Sequence, residues 1–223
     1  MAYRFQKERE AVSPDDVEIK LRMDYLRTKS EHLTKTLEAF VNILGHFQKD
    51  PMVLSDMLQD AANQIRGLFR FRYVMIGLRS PDGLYRYEFM SGMRDETWAA
   101  HRKKSYRAES FALSVPGWYR AGEISGLSRV YLEEKNPLGP GFEDSVNRPV
   151  LLSSKRTSAD ASLEADFLNT LIVGSRNELL GWIEYSGTVA GKLPDATAVR
   201  SIEVIASILG AAITSHDRKR RIL

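Results

Sequence analysis

The chain has 223 residues, a net charge of +3, 43% hydrophobic and 27% charged residues, and no cysteine. That balance suits a globular body with a sizeable core, while the small net charge does not by itself point to nucleic acid. The missing thiols exclude disulfides, thiol nucleophiles, thiolate metal sites and thioether-linked cofactors together.

No apolar run reaches the ~18 residues of a membrane span, and the first ten residues lack the apolar centre of a signal peptide. The expected compartment is the cytoplasm. Residues 1–13 are polar and read as a flexible N-terminus. Residues 14–48 read as one helix, because Ile19, Met23, Leu26, Leu33, Leu37, Phe40, Leu44 and Phe47 follow a 4-3 spacing broken only at Ser30. Such a seam argues for a coiled coil or a bundle. Burying each of those side chains is worth about 1.5–3 kcal/mol before entropy is subtracted, so the seam needs a partner. The sharper choice of partner is a second copy of the chain, and the blander one is the chain's own body.

Asp50-Pro51 reads as N-cap and first position of a second helix, whose Leu54, Met57, Leu58, Ala61, Ile65 and Leu68 share a face. Residues 72–79 and 84–91 read as a hairpin about Ser80-Pro81-Asp82-Gly83, where Pro presets φ and Gly takes a left-handed position. Tyr85, Tyr87 and Phe89 are then expected on one face of the returning strand. Residues 96–107 suggest a short charged helix and residues 126–132 a strand, with the rest of 92–165 irregular. A segment that long should cover something. Ser153 to Asp166 is polar and expected to be mobile.

The last fifty residues are the clearest. Residues 167–173 and 179–185 are apolar strands joined through Gly174-Ser175-Arg176-Asn177. Asp195 then caps a helix that is apolar nearly all round through Ile202, Val204, Ile205, Ile208, Leu209 and Ile213, so it should be covered on more than one side. Two basic clusters, His101-Arg102-Lys103-Lys104 with Arg107 and Arg218-Lys219-Arg220-Arg221, read first as a solvated face and a helix end that favours cations. The alternative is a docking patch for nucleic acid or an acidic partner.

The strand–turn–strand–helix order with Leu180-Gly181-Trp182-Ile183 at its centre resembles the C-terminal half of a GAF domain. Gly191-Lys192-Leu193-Pro194 and Val199-Arg200-Ser201-Ile202-Glu203-Val204-Ile205-Ala206 are most similar to GAF-like domains of archaeal signalling proteins, with a fainter echo in Ile124-Ser125 and Ser128-Arg129-Val130-Tyr131. The resemblance implies an α/β (α+β), profilin-like or PAS-like fold. It would have a central antiparallel sheet of about five or six strands, helices packed on one face and a long N-terminal coiled-coil-type helix. The sensor domain would span 50–217, with 218–223 a basic C-terminal tail.

The resemblance also implies a ligand pocket between the other sheet face and the middle segment. That pocket would use Trp118, Tyr119, Tyr131 and Phe142 as apolar walls and Arg129 as the polar group. The competing reading fills the same space with those aromatics and leaves a structural dimerisation or adaptor module. Trp182 reads as core. Bilin-attaching GAF domains and GAF-type methionine sulfoxide reductases need cysteine. The cyclic-nucleotide motif is only imitated by Asn136, Phe142, Glu143 and Asp144, since Lys135 precedes the Asn.

Catalysis finds no nucleophile–base–orienter set. His32, His46, His101 and His216 read as surface or helix-seam residues without metal-ligand spacing. The expectation is therefore no enzyme, no metal and no cofactor. The chain would be a non-catalytic sensory module with a small-molecule ligand and a downstream signalling partner, acting as a homodimer through its terminal helices, with neither membrane nor nucleic acid as its main partner.

Overall fold

A computed structural model describes residues 33–49, 51–108, 122–135 and 155–222, with the side chains of 219–222 left out. The chain divides into two compact units, Met1–Glu38 and Ala39–Leu223. Of the first, only helical residues 33–38 are described. The helix they begin, α1, runs over residues 33–45 and tightens into a 3-10 turn at His46–Gln48. The expected helix upstream of residue 33 lies outside the described residues.

Helix α2, Leu54–Phe69, ends at Arg70, which takes the left-handed conformation (φ 54°) that terminates a helix. It starts later than Asp50-Pro51 suggests. Val53 occupies the cap position without a side-chain hydrogen bond, and the apolar run from Leu54 sets the start because packing outweighs a local cap.

Strands β1 (Val74–Arg79), β2 (Tyr85–Ser91), β3 (Ser128–Tyr131), β4 (Phe167–Val173) and β5 (Leu179–Ser186) form one sheet in the order β2-β1-β5-β4-β3. Every pairing is antiparallel. The β1–β2 turn forms as its residues require. Gly83 adopts φ 82°, its N–H donates to the Ser80 carbonyl at 3.0 Å, and the Asp82 carboxylate accepts from the Leu84 N–H at 3.0 Å. β2 does not keep simple alternation, because its register slips between Ile76 and Gly77 and leaves Glu88 unpaired as a bulge. Phe89 therefore stands opposite Ile76 and packs on the helix-side core, while Tyr85 and Tyr87 stay on the other face. The expectation of three aromatics on one face fails at that extra residue.

Helix α4, Ala196–Ile222, closes the fold, and its first turn is capped by Asp195, whose carboxylate accepts from the Ala198 N–H at 2.8 Å. The helix carries on through residues 218–222, the stretch set apart from the sequence as a tail. Over Ala196–Arg218 it is long and apolar enough to cross a membrane by length and composition alone. Its Val199, Ile202, Ile205, Ala206, Leu209 and Ala212 are instead buried with Val74, Ile76, Leu168, Ile172, Ile183 and Tyr185 of the sheet and with α2. At Gly210 a Cβ would collide with the Val173 carbonyl, so glycine permits this close helix-on-sheet contact. The helix is covered on its sheet side, whereas Val204 is 46% exposed.

One helix departs from the expected one-sided arrangement. The short α3, Asp95–Arg102, lies with the opposite face, where Trp98 packs among the aromatics and His101 meets Tyr87 edge-on. Residues 155–166 are also tied down where mobility was expected. Fully buried Asp166 accepts from the Leu163 N–H (2.8 Å), the Glu133 N–H (3.0 Å) and the Arg156 guanidinium (2.9 Å), and Arg156 also holds Glu134. A carboxylate with three such donors repays the cost of its burial.

Candidate functional site

Cross-strand register carries one row of side chains over the face away from α2 and α4. Arg129 pairs with Asn169, Asn169 with Glu184, Glu184 with Met75, and Met75 with Met90. Directly opposed residues of antiparallel strands share a face, so a cation, an amide and a carboxyl sit side by side on β3, β4 and β5. All three are buried, at 1%, 5% and 5% exposure.

Aromatics flank the row. On one side Tyr131 stacks on Phe167, with centroids 4.6 Å apart and planes 13° from parallel. On the other, Trp182 takes Tyr87 and Tyr106 edge-on at 4.9 and 5.6 Å. Gly77 lies beneath the Trp182 ring, where a Cβ would overlap the indole.

Glu184 is the electrostatic centre of this face. Its carboxyl accepts a 2.6 Å hydrogen bond from the Tyr87 hydroxyl. Burial pushes its pKa up to about 7, against the smaller opposing pulls of the Tyr87 and Tyr73 hydroxyls and the Lys104 charge. Desolvation and the neighbouring carboxyl raise Tyr73 and Tyr87 well above the usual tyrosine range, and burial takes Tyr106 to about 12. Burial, with Lys104 nearby, lowers His101 to about 4, so its imidazole is neutral at pH 7. Asn169 Oδ1 and His101 Nδ1 are buried without a hydrogen-bond partner among the described residues. These groups can seat polar atoms and exchange a proton near neutrality. Among the described residues, no group of three or more His, Asp and Glu side chains is placed to hold a metal ion.

No family model matches the sequence, and no curated protein is similar to it. Solved structures are similar in fold. The phycoerythrobilin-bound GAF domain from a cyanobacterial phytochrome is 11% identical over 84% of this chain and 98% of its own, with a TM-score of 0.56. The GAF domain from a phosphoenolpyruvate-protein phosphotransferase of Coxiella burnetii is 16% identical over 85% and 98%, with a TM-score of 0.53. Its counterpart from the Acinetobacter phosphotransferase is 12% identical over 84% and 94%, with a TM-score of 0.52. The fold is that of a GAF domain.

Within that GAF fold the sequence-predicted ligand residues separate. Trp118, Tyr119 and Phe142 lie outside the described residues, as does the imitation motif from Asn136 to Asp144. Arg129 and Tyr131 do share the face away from the terminal helices, two residues apart on β3. Arg129 donates from Nη1 to the Ser125 carbonyl (2.8 Å) and the Ser128 carbonyl (3.1 Å), so its guanidinium is turned to the loop before β3. Trp182 is core, as expected.

Glu184, Asn169 and Tyr73 were not singled out in the sequence, and Tyr87 only as part of an aromatic strand face. The available signal was a carboxyl between Ile183 and Tyr185, and an amide between Leu168 and Thr170, in strands otherwise apolar on both faces. A separate feature is a groove of about 270 Å³ at the strand ends, lined by Leu127, Leu171, Val173, Asn177, Ser207 and Ala211.

The seam residues Ile19, Met23 and Leu26 lie outside the described residues. In the first unit Leu33 (57%) and Leu37 (52%) are exposed, and in the second Val41 (66%), Leu44 (46%) and Phe47 (41%) are exposed. Phe40 is the exception, packed against the helix-side core beside buried Ile43. Two histidines are likewise more buried than expected. His46 is 3% exposed and pairs with Asp60 at 2.7 Å, and His101 is 7% exposed. His32 lies outside the described residues. Of the basic clusters, Arg102 lies over the Trp98 ring at 6.0 Å and Arg218 donates to the Ser175 hydroxyl at 3.1 Å.

Proposed function

We propose that the chain is a non-catalytic, cytoplasmic GAF-type sensory or regulatory module. It takes a small ligand on the aromatic face and passes the event along its terminal helices within a homodimer. The observation that carries this reading is the buried polar row Arg129–Asn169–Glu184, on the face turned away from α2 and α4. A purely structural face gains nothing from a carboxyl whose burial costs stability. Leu33 and Leu37 of the first unit and Val41, Leu44 and Phe47 of the second supply the other half of the reading, since large exposed apolar side chains are wasted in water. A second copy is the partner that a 4-3 seam suits. We also read the chain as nearest to GAF-like domains of archaeal sensors, on the resemblance of residues 191–194 and 199–206.

A thermal-shift screen with metabolites and cyclic nucleotides tests the ligand. A compound that binds only the folded state must raise the melting temperature, and a screen without a hit overturns that half. Light scattering tests the dimer. The expected mass is twice 25.3 kDa, a Leu37→Lys/Leu44→Lys variant should halve it, and a wild-type monomer overturns the helix-borne output. The adaptor reading has one observation in its favour, the ring-to-ring packing of Tyr85, Tyr87, Tyr106 and Trp182. It predicts a dimer that no compound stabilises.

A further inference from the structure

We infer that the Asn169–Glu184 pair is the seat for the ligand's positively charged, hydrogen-bond-donating end, and that the ligand class is a small organic cation bearing an ammonium or amidinium group. This rests on the ligand-binding reading above and adds the chemistry.

Two groups on this face are acceptors with capacity to spare. Glu184 has a 2.6 Å bond from Tyr87, and a carboxylate has room for about four donors. Asn169, its direct cross-strand neighbour, has an Oδ1 that is buried without a partner among the described residues. His101, edge-on to Tyr87 at 5.5 Å, has an Nδ1 that is also buried without a partner among the described residues and that accepts in the Nε2–H tautomer. Buried acceptors left unmet cost stability, so a ligand rich in N–H donors gains what the free protein lacks. The surrounding rings add to this, because aromatic faces attract cations most strongly where water is excluded.

Burial outweighs the charge of Lys104, the cation that acts on Glu184. β1 and its lead-in contribute Tyr73 and Met75, β2 contributes Tyr87, α3 contributes a neutral His101, and the segment after α3 contributes Tyr106 and Lys104. No described cation lies within ion-pair distance of the Glu184 carboxyl. Arg129, at the far end of the row, gives its Nη1 protons to the Ser125 and Ser128 carbonyls, and its Nη2 stands 3.9 Å from Glu123. An anionic ligand would have to be desolvated beside a buried carboxylate, which is the costlier arrangement.

The experiment titrates the full chain by calorimetry at pH 8 with three probes of one shape: 2-phenylethylamine, 2-phenylethanol and phenylacetate. The amine is expected to bind saturably, at least tenfold tighter than the alcohol, with phenylacetate weakest. Because a proton competes for Glu184, whose pKa is about 7, wild-type affinity for the amine should fall about tenfold from pH 8 to pH 6. Glu184→Gln should lose at least tenfold at pH 8, and Asn169→Leu severalfold. The pH series needs no variant, so a misfolded substitution does not spoil the test.

Equal binding of the alcohol, tighter binding of phenylacetate, a flat pH profile or no binding of any probe overturns the inference. A metabolite-screen hit whose shift is unchanged in Glu184→Gln overturns the cation seat alone. An empty screen together with silent probes overturns the sensor reading as well.

Discussion

The two faces of the sheet solve different problems. Against α2 and α4 stand Val74, Ile76, Leu168, Ile172 and Ile183, aliphatic side chains that interlock with Ile202, Ile205 and Leu209 and bury no charge. On the reverse stand Trp182, Tyr87 and Tyr106 about a carboxyl, an amide and a guanidinium. Apolar burial chiefly drives the first face to form, with the Tyr185–Thr170–Ser128 hydroxyls as a polar thread through it. The second carries polar groups that a fold built only for stability would replace, which is why we propose it as the ligand face.

Substitutions on the two faces should therefore differ in kind. The largest effect is expected from Ile183→Ala on the helix side. It removes a fully buried side chain from the centre of the core and should cost about 3–4 kcal/mol in chemical denaturation, at every pH. Equal losses at pH 5 and pH 8 would place this residue on the purely structural face.

Glu184→Gln should show the opposite signature. The carboxyl titrates near 7 in the fold against 4.5 ordinarily. The folded state thus holds its proton more tightly than the unfolded chain does. The group costs nothing below pH 4.5, costs progressively more as pH rises toward 7, and costs a constant amount above. That amount is about 3 kcal/mol. Glu184→Gln should match the wild type at pH 4.5 and exceed it at pH 8, and a wild-type stability indifferent to pH in that window would erase the contrast between the faces.

Smaller still is Gly77→Ala. Its methyl group must displace the Trp182 indole, at a cost of about 1–3 kcal/mol, and the resulting change in indole fluorescence should come without loss of helix signal in circular dichroism. Smallest is Asp195→Ala at the start of α4, where losing the cap should lower stability by about 1 kcal/mol and leave ligand-face measurements untouched.

Most of the helix side was legible in the sequence. β4 and β5 are continuous apolar runs between turn residues, Asp195 announces the closing helix, and the hairpin glycine sits where a left-handed residue is required. What escaped was set by non-local pairing. The bulge at Glu88 depends on how β2 meets β1, so no periodicity within 84–91 could place Phe89.

The polar row escaped for a related reason. Arg129, Asn169 and Glu184 are far apart along the chain and become neighbours only through the β3–β4–β5 register, whereas Arg129 and Tyr131 lie two residues apart on one strand. The α1 seam was legible as a spacing, yet Phe40 and Ile43 belong to the intramolecular core while Leu37, Val41 and Leu44 do not. Two stripes one position apart cannot be told from each other by heptad counting.

One cluster joins the closing helix to the sheet beneath it. Tyr185 and Thr170 share a hydrogen bond at 3.1 Å, Thr170 and Ser128 another at 2.9 Å, and the Ser128 hydroxyl ends on Glu203 of α4 at 2.8 Å, where the Ser125 hydroxyl also ends. Rolling α4 about its long axis would withdraw a single acceptor from two hydroxyls at once and leave the chain behind it without a terminus. Both bonds to Glu203 would therefore break together, which couples the axial position of α4 to the sheet beneath it.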